Sequence, residues 1–259
     1  MARLFTVNAR RACLTIALSM IVLAAPTLAT AAAEPTAIEP APESVLFVGN
    51  SHTARHGGLD WLVGNFVAAE AGERPFDAAA LTEGGVTLEY HWNNGTPERV
   101  RYGDYDTVVL QGYLAGSDTA SADLFLEHAR LLDSVIERSG AETVFFMTWP
   151  RGFNDWSTID DVVEAHRTIA TELDAAVAPA ALAFERARVE RPDVRLIDYD
   201  RVHATWEGAY LAAATVYATV FERSPEGLPY SFGTDAETAA FLQRVAWETV
   251  TEWNEGSAA

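Results

Sequence analysis

Short apolar runs alternate along the chain with longer stretches whose apolar residues recur every three or four positions. Short apolar runs bounded by polar residues or glycine are typical of buried strands, and the longer periodic stretches are typical of helices with one buried side. The predicted strands are Val45–Val48, Thr107–Leu110, Thr143–Met147 and Val194–Ile197. The predicted helices are Ala54–Ala71, Ala122–Ser139, Thr158–Val177, Trp206–Phe221 and Ala236–Trp253.

This alternation predicts an α/β fold in which helices cover both faces of a parallel sheet. In such folds the ligand site lies beyond the carboxyl ends of the strands. We therefore expect any chemistry in the segments that directly follow the predicted strands. These segments are Gly49–Ser51, Gln111–Tyr113, Trp149–Pro150 and Asp200–His203.

Residues 1–33 have the pattern of a secretory signal peptide. Arg3, Arg10 and Arg11 come before or at the start of an apolar run, and Ala29-Thr30-Ala31 ends it with a small-residue cleavage pattern. Polar residues and a proline interrupt the run, which favours a cleaved signal over the alternative, a membrane anchor. We expect a signal peptide at 1–33, a proline-rich linker at 34–43 and one domain at 44–255, exported to the periplasm or secreted.

The composition argues against several kinds of site. The 259 residues include 37 acidic and 18 basic residues, all 18 of them arginine, and the formal charge is −19. Such an acidic surface repels nucleic acid and anionic membranes. The single cysteine, Cys13, lies in the predicted signal peptide. A mature chain without it has no disulfide, no thiolate nucleophile and no iron–sulfur cluster.

The segment Gly49-Asn50-Ser51-His52-Thr53 leaves the first predicted strand and leads into a helix. A tight turn there needs glycine, and it lifts the Ser51 hydroxyl to the start of the helix. Free backbone N–H groups at that place can stabilise an oxyanion, so Ser51 is a candidate nucleophile. The alternative is that Asn50 or Ser51 only caps the helix, because both residue types are common caps.

A serine nucleophile needs a base and a group that orients the base. Asp200-Arg201-Val202-His203 follows the last predicted strand and offers both, with His203 as the base and Asp200 as the acid. Asp198 is a second candidate for the orienting acid. The alternative interpretation of His203 is a solvated loop histidine.

Two segments between these motifs offer donors for an oxyanion. Gly84-Gly85 allows the backbone to approach a ligand closely. Gln111, directly after the second predicted strand, can donate from its side-chain amide. The alternatives are structural, with the glycines as a plain turn and Gln111 as a partner of a neighbouring loop.

Taken together, the motifs resemble the sequence blocks of the SGNH (GDSL-like) hydrolases. The first block of that family, Gly-Asp-Ser, stands here as Gly49-Asn50-Ser51 with His-Thr after it. The last block, Asp-x-x-His, is matched by Asp200 and His203, and Gly85 matches the glycine donor of the second block. In the third block Gln111 stands where the family usually has asparagine.

This resemblance covers roughly residues 44–225 and implies a flavodoxin-like, three-layer α/β/α sandwich with a parallel sheet. It implies an exported serine esterase in which Ser51 attacks, His203 transfers the proton and Asp200 orients the imidazole. The N–H groups of Ser51 and Gly85 and the Gln111 amide would bind the oxyanion. The expected substrate is a small-molecule or carbohydrate ester, with an O-acetylated carbohydrate as the narrower expectation. Neither metal nor cofactor is expected.

Two other interpretations stay open from the sequence. A non-catalytic, exported carbohydrate-binding protein with a degenerate SGNH fold also fits, because Gln111 departs from the family pattern. His52, His56 and Asp60 follow one another at intervals of four residues, a histidine spacing that can bind zinc, but no further ligand cluster is evident. Neither nucleic-acid binding nor stable membrane insertion of the mature chain is expected.

Burial can also be predicted for some residues in the helices. His128 and His166 lie inside predicted helices and are expected at the protein surface. Trp206 begins a predicted helix and is expected in the core, because large aromatic side chains mostly pack there.

Overall fold

The structure is a computed structural model that describes residues 41–71, 76–112, 119–150 and 158–257. The predicted signal peptide at 1–33 and residues 34–40 of the predicted linker lie outside the described residues. Within the described ranges, no helix combines the length and the apolar character needed to span a membrane.

Five parallel strands form one sheet in the order β2-β1-β3-β4-β5. This is the flavodoxin-like order. The chain runs from β1 to β2 on one side of β1 and then crosses to β3 on the other side, so the strand order reverses between β1 and β3. A ligand crevice is expected there, beyond the carboxyl ends of these two strands. The strands are β1 (Ser44–Gly49), β2 (Asp77–Thr82), β3 (Thr107–Leu110), β4 (Glu142–Phe146) and β5 (Ala176–Ala178).

Nine α-helices and one 3₁₀ helix are present in the described residues. The short α1 (Ser51–Ala54) follows β1 directly, and the 3₁₀ helix Arg55–Gly57 separates it from α2. The other helices are α2 (Leu59–Ala71), α3 (Leu88–Asn93), α4 (Thr96–Gly103), α5 (Thr119–Ser139), α6 (Ile159–Leu173), α7 (Ala180–Glu190), α8 (Trp206–Phe221) and α9 (Ala236–Ser257).

The helices form a layer on each face of the sheet. Helices α2, α7, α8 and α9 pack together on one side, and α3, α4, α5 and α6 pack on the other. The central strands are therefore buried on both faces, and Val45–Val48 and Thr107–Leu110 consist of buried residues throughout. The predicted three-layer α/β/α sandwich with a parallel sheet is confirmed.

Two predicted elements were wrong. The helix predicted at Ala54–Ala71 is interrupted, because His56, Gly57 and Gly58 have positive φ angles that a continuous right-handed helix cannot contain. The strand predicted at Val194–Ile197 does not form, and only Ile197 makes a single antiparallel bridge, to Ala204.

The strand that completes the sheet is β5, which lies inside the predicted helix Thr158–Val177. That helix ends at Leu173, where Asp174 takes a left-handed conformation as the cap. The sequence analysis also missed β2, α3, α4 and α7. Strand β2 is rich in alanine and partly exposed at the sheet edge, so it lacks the apolar run that marks β1 and β3.

Three burial predictions were also wrong. His128 and His166 are buried, and each donates from Nδ1 to the carbonyl four residues earlier in its own helix. Burial lowers the pKa of His166 to about 4, so this imidazole is neutral at ordinary pH. Trp206 is 55% exposed. It is the first residue of α8, whereas the buried part of that helix begins at Gly208.

Candidate active site

Ser51 is the first residue of α1 and directly follows the turn at the end of β1. Gly49 is needed in this turn because neighbouring side chains leave no room for a Cβ atom. A Cβ atom on Gly49 would collide with the side chains of Thr53 and Gln111. Asn50 caps α1, and its Oδ1 accepts a hydrogen bond from the His52 N–H at 3.1 Å. The local sequence therefore sets the position of Ser51 through packing and capping.

Gln111 lies beneath this turn, at the end of β3, and is buried. Its Oε1 accepts hydrogen bonds from the Asn50 N–H at 2.8 Å and from the Thr53 hydroxyl at 3.1 Å. Its Nε2 donates to the Gly112 carbonyl at 3.0 Å, and as far as the described residues go this leaves the second N–H of the amide for another acceptor. These contacts join the ends of β1 and β3, while the oxyanion role of Gln111 stays a prediction.

His91 in α3 supports the turn from the other side. Its Nε2 donates to the Gly49 carbonyl at 2.9 Å, and its Nδ1 lies 3.4 Å from the Thr96 hydroxyl. Burial lowers the pKa of His91, and the hydrogen bond to Gly49 offsets part of this effect. The sequence analysis missed His91, because the short helix that carries it was not predicted.

The structure brings Ser51, His203 and Asp200 together in one hydrogen-bonded chain. The Ser51 Oγ lies 2.9 Å from His203 Nε2, and His203 Nδ1 lies 2.6 Å from Asp200 Oδ2. Since a carboxylate only accepts, Nδ1 carries the proton and Nε2 accepts from the serine hydroxyl. This is the hydrogen-bonding pattern of a nucleophile, a base and an orienting acid.

Asp200 is held mainly by its own loop. Its Oδ1 accepts from the N–H groups of Val202 and His203, each at 2.9 Å. The hydrogen bond from the His203 side chain, followed by these two backbone donors, holds the pKa of Asp200 well below its ordinary value. Asp198, the other candidate acid, forms an ion pair with Arg55 at 3.2 Å.

Neighbouring side chains support the loop that carries His203. Trp149 donates from Nε1 to the Val202 carbonyl at 2.9 Å, and its ring stacks on Phe184 at 3.9 Å. The His52 ring lies 5.8 Å from the His203 ring, measured between centroids. His56 donates from Nε2 to the Ala204 carbonyl at 2.9 Å, which ties the segment after Ser51 to the segment after His203.

The loop between β2 and α3 contains the other oxyanion candidate. Gly85 is exposed and has φ +72°, a conformation that favours glycine. Within the described part of the chain, neither the Ser51 N–H nor the Gly85 N–H has a hydrogen-bond partner. Unpaired backbone donors are what an oxyanion hole requires.

The zinc interpretation of His52, His56 and Asp60 has no support from the geometry. Across the residues that the structure describes, no three His, Cys, Asp or Glu side chains come together as metal ligands would. His56 instead lies in the break between α1 and α2, bonded to Ala204 and packed on the Trp206 ring at 4.2 Å.

No protein-family model and no curated protein matches the chain. Several solved structures do match its fold. A DUF4886 family protein from Bacteroides uniformis has a TM-score of 0.62 at 19% identity, over 80% of this chain and 94% of that protein. The acetyl xylan esterase AlAXEase has a TM-score of 0.58 at 16% identity, over 68% and 98% of the two chains.

A protein named as a GDSL-like lipase from Parabacteroides merdae has a TM-score of 0.57 at 16% identity. The match covers 69% of this chain and 95% of that one. At these identities the likeness shows the fold alone. This chain therefore has the fold of the SGNH hydrolases, and its activity has to be argued from its own site.

Proposed function

We propose that this protein is an exported serine esterase that hydrolyses a carboxylic ester. The observation that carries the proposal is the hydrogen-bonded chain from Ser51 through His203 to Asp200, with distances of 2.9 Å and 2.6 Å. Ser51 and His203 are 152 residues apart in the sequence and meet beyond the carboxyl end of β1, where a flavodoxin-like sheet places its ligands.

In the proposed reaction the Ser51 Oγ attacks the ester carbonyl while His203 Nε2 accepts the hydroxyl proton. Asp200 keeps the proton on Nδ1 and stabilises the imidazolium that forms. The N–H groups of Ser51 and Gly85 bind the negative charge on the carbonyl oxygen, with the remaining Gln111 N–H as a third donor. His203 then protonates the leaving alcohol, and water hydrolyses the acyl-enzyme through the same base. No metal or cofactor takes part.

For the substrate we propose an O-acetylated carbohydrate. One supporting observation is the fold likeness to AlAXEase, an acetyl xylan esterase. A second is a pair of half-exposed indoles next to the break after α1, where Trp206, 55% exposed, packs on His56 and Trp61, 50% exposed, lies close to Gly57. Both contact Phe232, with ring centroids 4.9 Å and 5.5 Å apart. Flat aromatic faces can pack against the apolar face of a sugar ring.

The first experiment compares p-nitrophenyl acetate hydrolysis by the parent protein and by Ser51→Ala. Removal of the nucleophile should lower kcat by a factor of about 10³ or more. Ser121→Ala serves as a control, because it removes a serine hydroxyl outside the proposed catalytic chain. A Ser51→Ala protein that keeps the parent rate would disprove the role of Ser51. A folded parent without activity would favour the non-catalytic carbohydrate-binding alternative.

The carbohydrate proposal is tested by Trp206→Ala on acetylated xylo-oligosaccharides and on p-nitrophenyl acetate. Loss of a stacking platform should raise KM for the sugar ester about tenfold and leave the small ester unaffected, since only the sugar contacts the ring. Trp247→Ala is the control, because this partly buried tryptophan lies in α9, a helix that contributes none of the proposed site residues. Equal effects of Trp206→Ala on both substrates would count against a sugar contact.

A further inference from the structure

Asn50 makes more contacts than helix capping needs. It is completely buried, and its Oδ1 accepts the capping hydrogen bond from His52. Its Nδ2 donates to the Val86 carbonyl at 3.0 Å, in the loop between β2 and α3. A cap uses only an acceptor oxygen, which serine or aspartate supplies as well. The Nδ2 contact therefore needs another explanation, because it is made by a donor nitrogen that helix capping does not use.

A second hydrogen bond joins the same two segments. The Glu83 N–H donates to the Gly49 carbonyl at 3.3 Å. Residues 83 and 86 are thus tied to residues 49 and 50, and the exposed pair Gly84-Gly85 lies between the two ties. Glycine pairs allow a wide range of backbone conformations, so this short loop needs external restraint to hold one of them.

We propose that Asn50 is a positioning residue that holds the Gly84-Gly85 loop against the nucleophile turn. One side chain connects the segment that carries the Ser51 N–H to the segment that carries the Gly85 N–H. The two donors then keep a constant separation without rearranging during the reaction, which is how a preorganised oxyanion hole lowers a barrier. This inference rests on the proposed esterase function and assigns a second role to the residue before the nucleophile.

Asn50→Asp removes the donor and keeps the shape and the capping oxygen. Its ionised carboxylate would place an oxygen about 3.0 Å from the Val86 carbonyl, where two acceptors repel each other. Burial raises the pKa of a carboxyl group. At lower pH the protonated carboxyl can donate to the Val86 carbonyl and restore the tie. Asn50→Ser keeps a cap but cannot make this contact at any pH.

The experiment measures kcat for p-nitrophenyl acetate from about pH 8 to about pH 5 in the parent, Asn50→Asp and Asn50→Ser. At high pH we expect both variants to lose about ten- to a hundredfold in kcat with little change in KM. The ratio of the Asn50→Asp rate to the parent rate should rise as the pH falls, and the Asn50→Ser ratio should stay constant. Asn65→Asp is the control, because the Asn65 Nδ2 also donates to a backbone carbonyl, at 2.7 Å, within α2.

Hydrogen–deuterium exchange tests the same tie independently of activity. In folded Asn50→Asp and Asn50→Ser at high pH, the amides of residues 83–87 should exchange faster than in the parent. Faster exchange at the His52 amide alone would mean that Asn50 is only a cap and would overturn the proposal. A ratio of the Asn50→Asp rate to the parent rate that does not change with pH would also overturn it. A parent protein without esterase activity would instead overturn the proposed function, and exchange would still decide whether Asn50 holds the loop.

Discussion

The two halves of the candidate site are built in different ways. On the nucleophile side, Asn50, Gln111 and His91 are buried polar residues that come from three different elements around the Gly49 turn. On the base side, the Asp200 and His203 side chains are 44% and 24% exposed. Most hydrogen bonds of Asp200 come from within its own loop.

This difference matches what each half would do in the proposed reaction. The nucleophile and the oxyanion donors have to stay aligned, and buried hydrogen bonds from several elements restrict them most strongly. The base exchanges protons with water and with a leaving group, so it needs access to solvent. Mutations in the base loop should therefore affect rate more than stability, and mutations on the nucleophile side should affect both.

The largest expected effect is that of Asp200→Asn. Asparagine can donate to Nδ1 and so favours the wrong tautomer of His203, and we expect kcat to fall about 10³- to 10⁴-fold. The melting temperature should change only modestly, because the side chain is 44% exposed and asparagine keeps the oxygen that accepts from the Val202 and His203 N–H groups. Asp198→Asn is the matched control, since it removes the negative charge of the partly buried ion pair with Arg55 and leaves Asp200 unchanged. A larger rate loss in Asp198→Asn would assign the orienting role to Asp198.

Gln111→Ala should lower both the rate and the stability. It leaves the buried Asn50 N–H and the Thr53 hydroxyl without their shared acceptor, at a cost of about 1–3 kcal/mol in the free energy of unfolding. Gln243→Ala is the matched control, because this buried glutamine bonds Tyr210, Leu228 and Tyr230 and none of the proposed catalytic residues, so its loss should lower stability but not kcat. A loss of kcat with unchanged stability in Gln111→Ala would mean that Gln111 acts only as an oxyanion donor.

Acid should weaken the nucleophile side first. The pKa of buried His91 is lowered in the folded state, so below about pH 6.5 the unfolded chain binds a proton that the folded chain does not, and stability falls. The pKa of Asp200 is also lowered, so its stabilising contribution persists until the pH falls below about 3.9. This effect is the smallest of the three, because His91 is one group among several that titrate.

Chemical denaturation at several pH values can separate the two contributions. Between about pH 7 and pH 5, His91→Gln should lose less free energy of unfolding than the parent, and Asp200→Asn should follow the parent. Burial lowers the pKa of His166 to about 4. This histidine is present in all three proteins, so its effect on the free energy of unfolding cancels when they are compared. If the free energy of unfolding fell equally with pH in His91→Gln and in the parent, His91 would not be the group that causes the loss of stability in acid.

The sequence by itself predicted the elements with the strongest patterns. Strands β1 and β3 are short apolar runs, and α8 begins and ends where its periodicity indicates, Trp206–Phe221. Their alternation was sufficient for the α/β sandwich. Five site candidates could be named because each lies after a predicted strand or within a recognisable motif: Ser51, His203, Asp200, Gly85 and Gln111.

Only the tertiary structure decided how those residues meet. A local pattern carries no information on contacts between distant segments. The resemblance to the SGNH hydrolases implied that Ser51, His203 and Asp200 act together, but the pairing of Asp198 with Arg55 and the support from His91 were not predictable. The same limit applies to β5, whose three residues form a strand because they pair with β4. Sequence patterns determine which segments can be buried, and the packing of distant segments determines which side chains share a site.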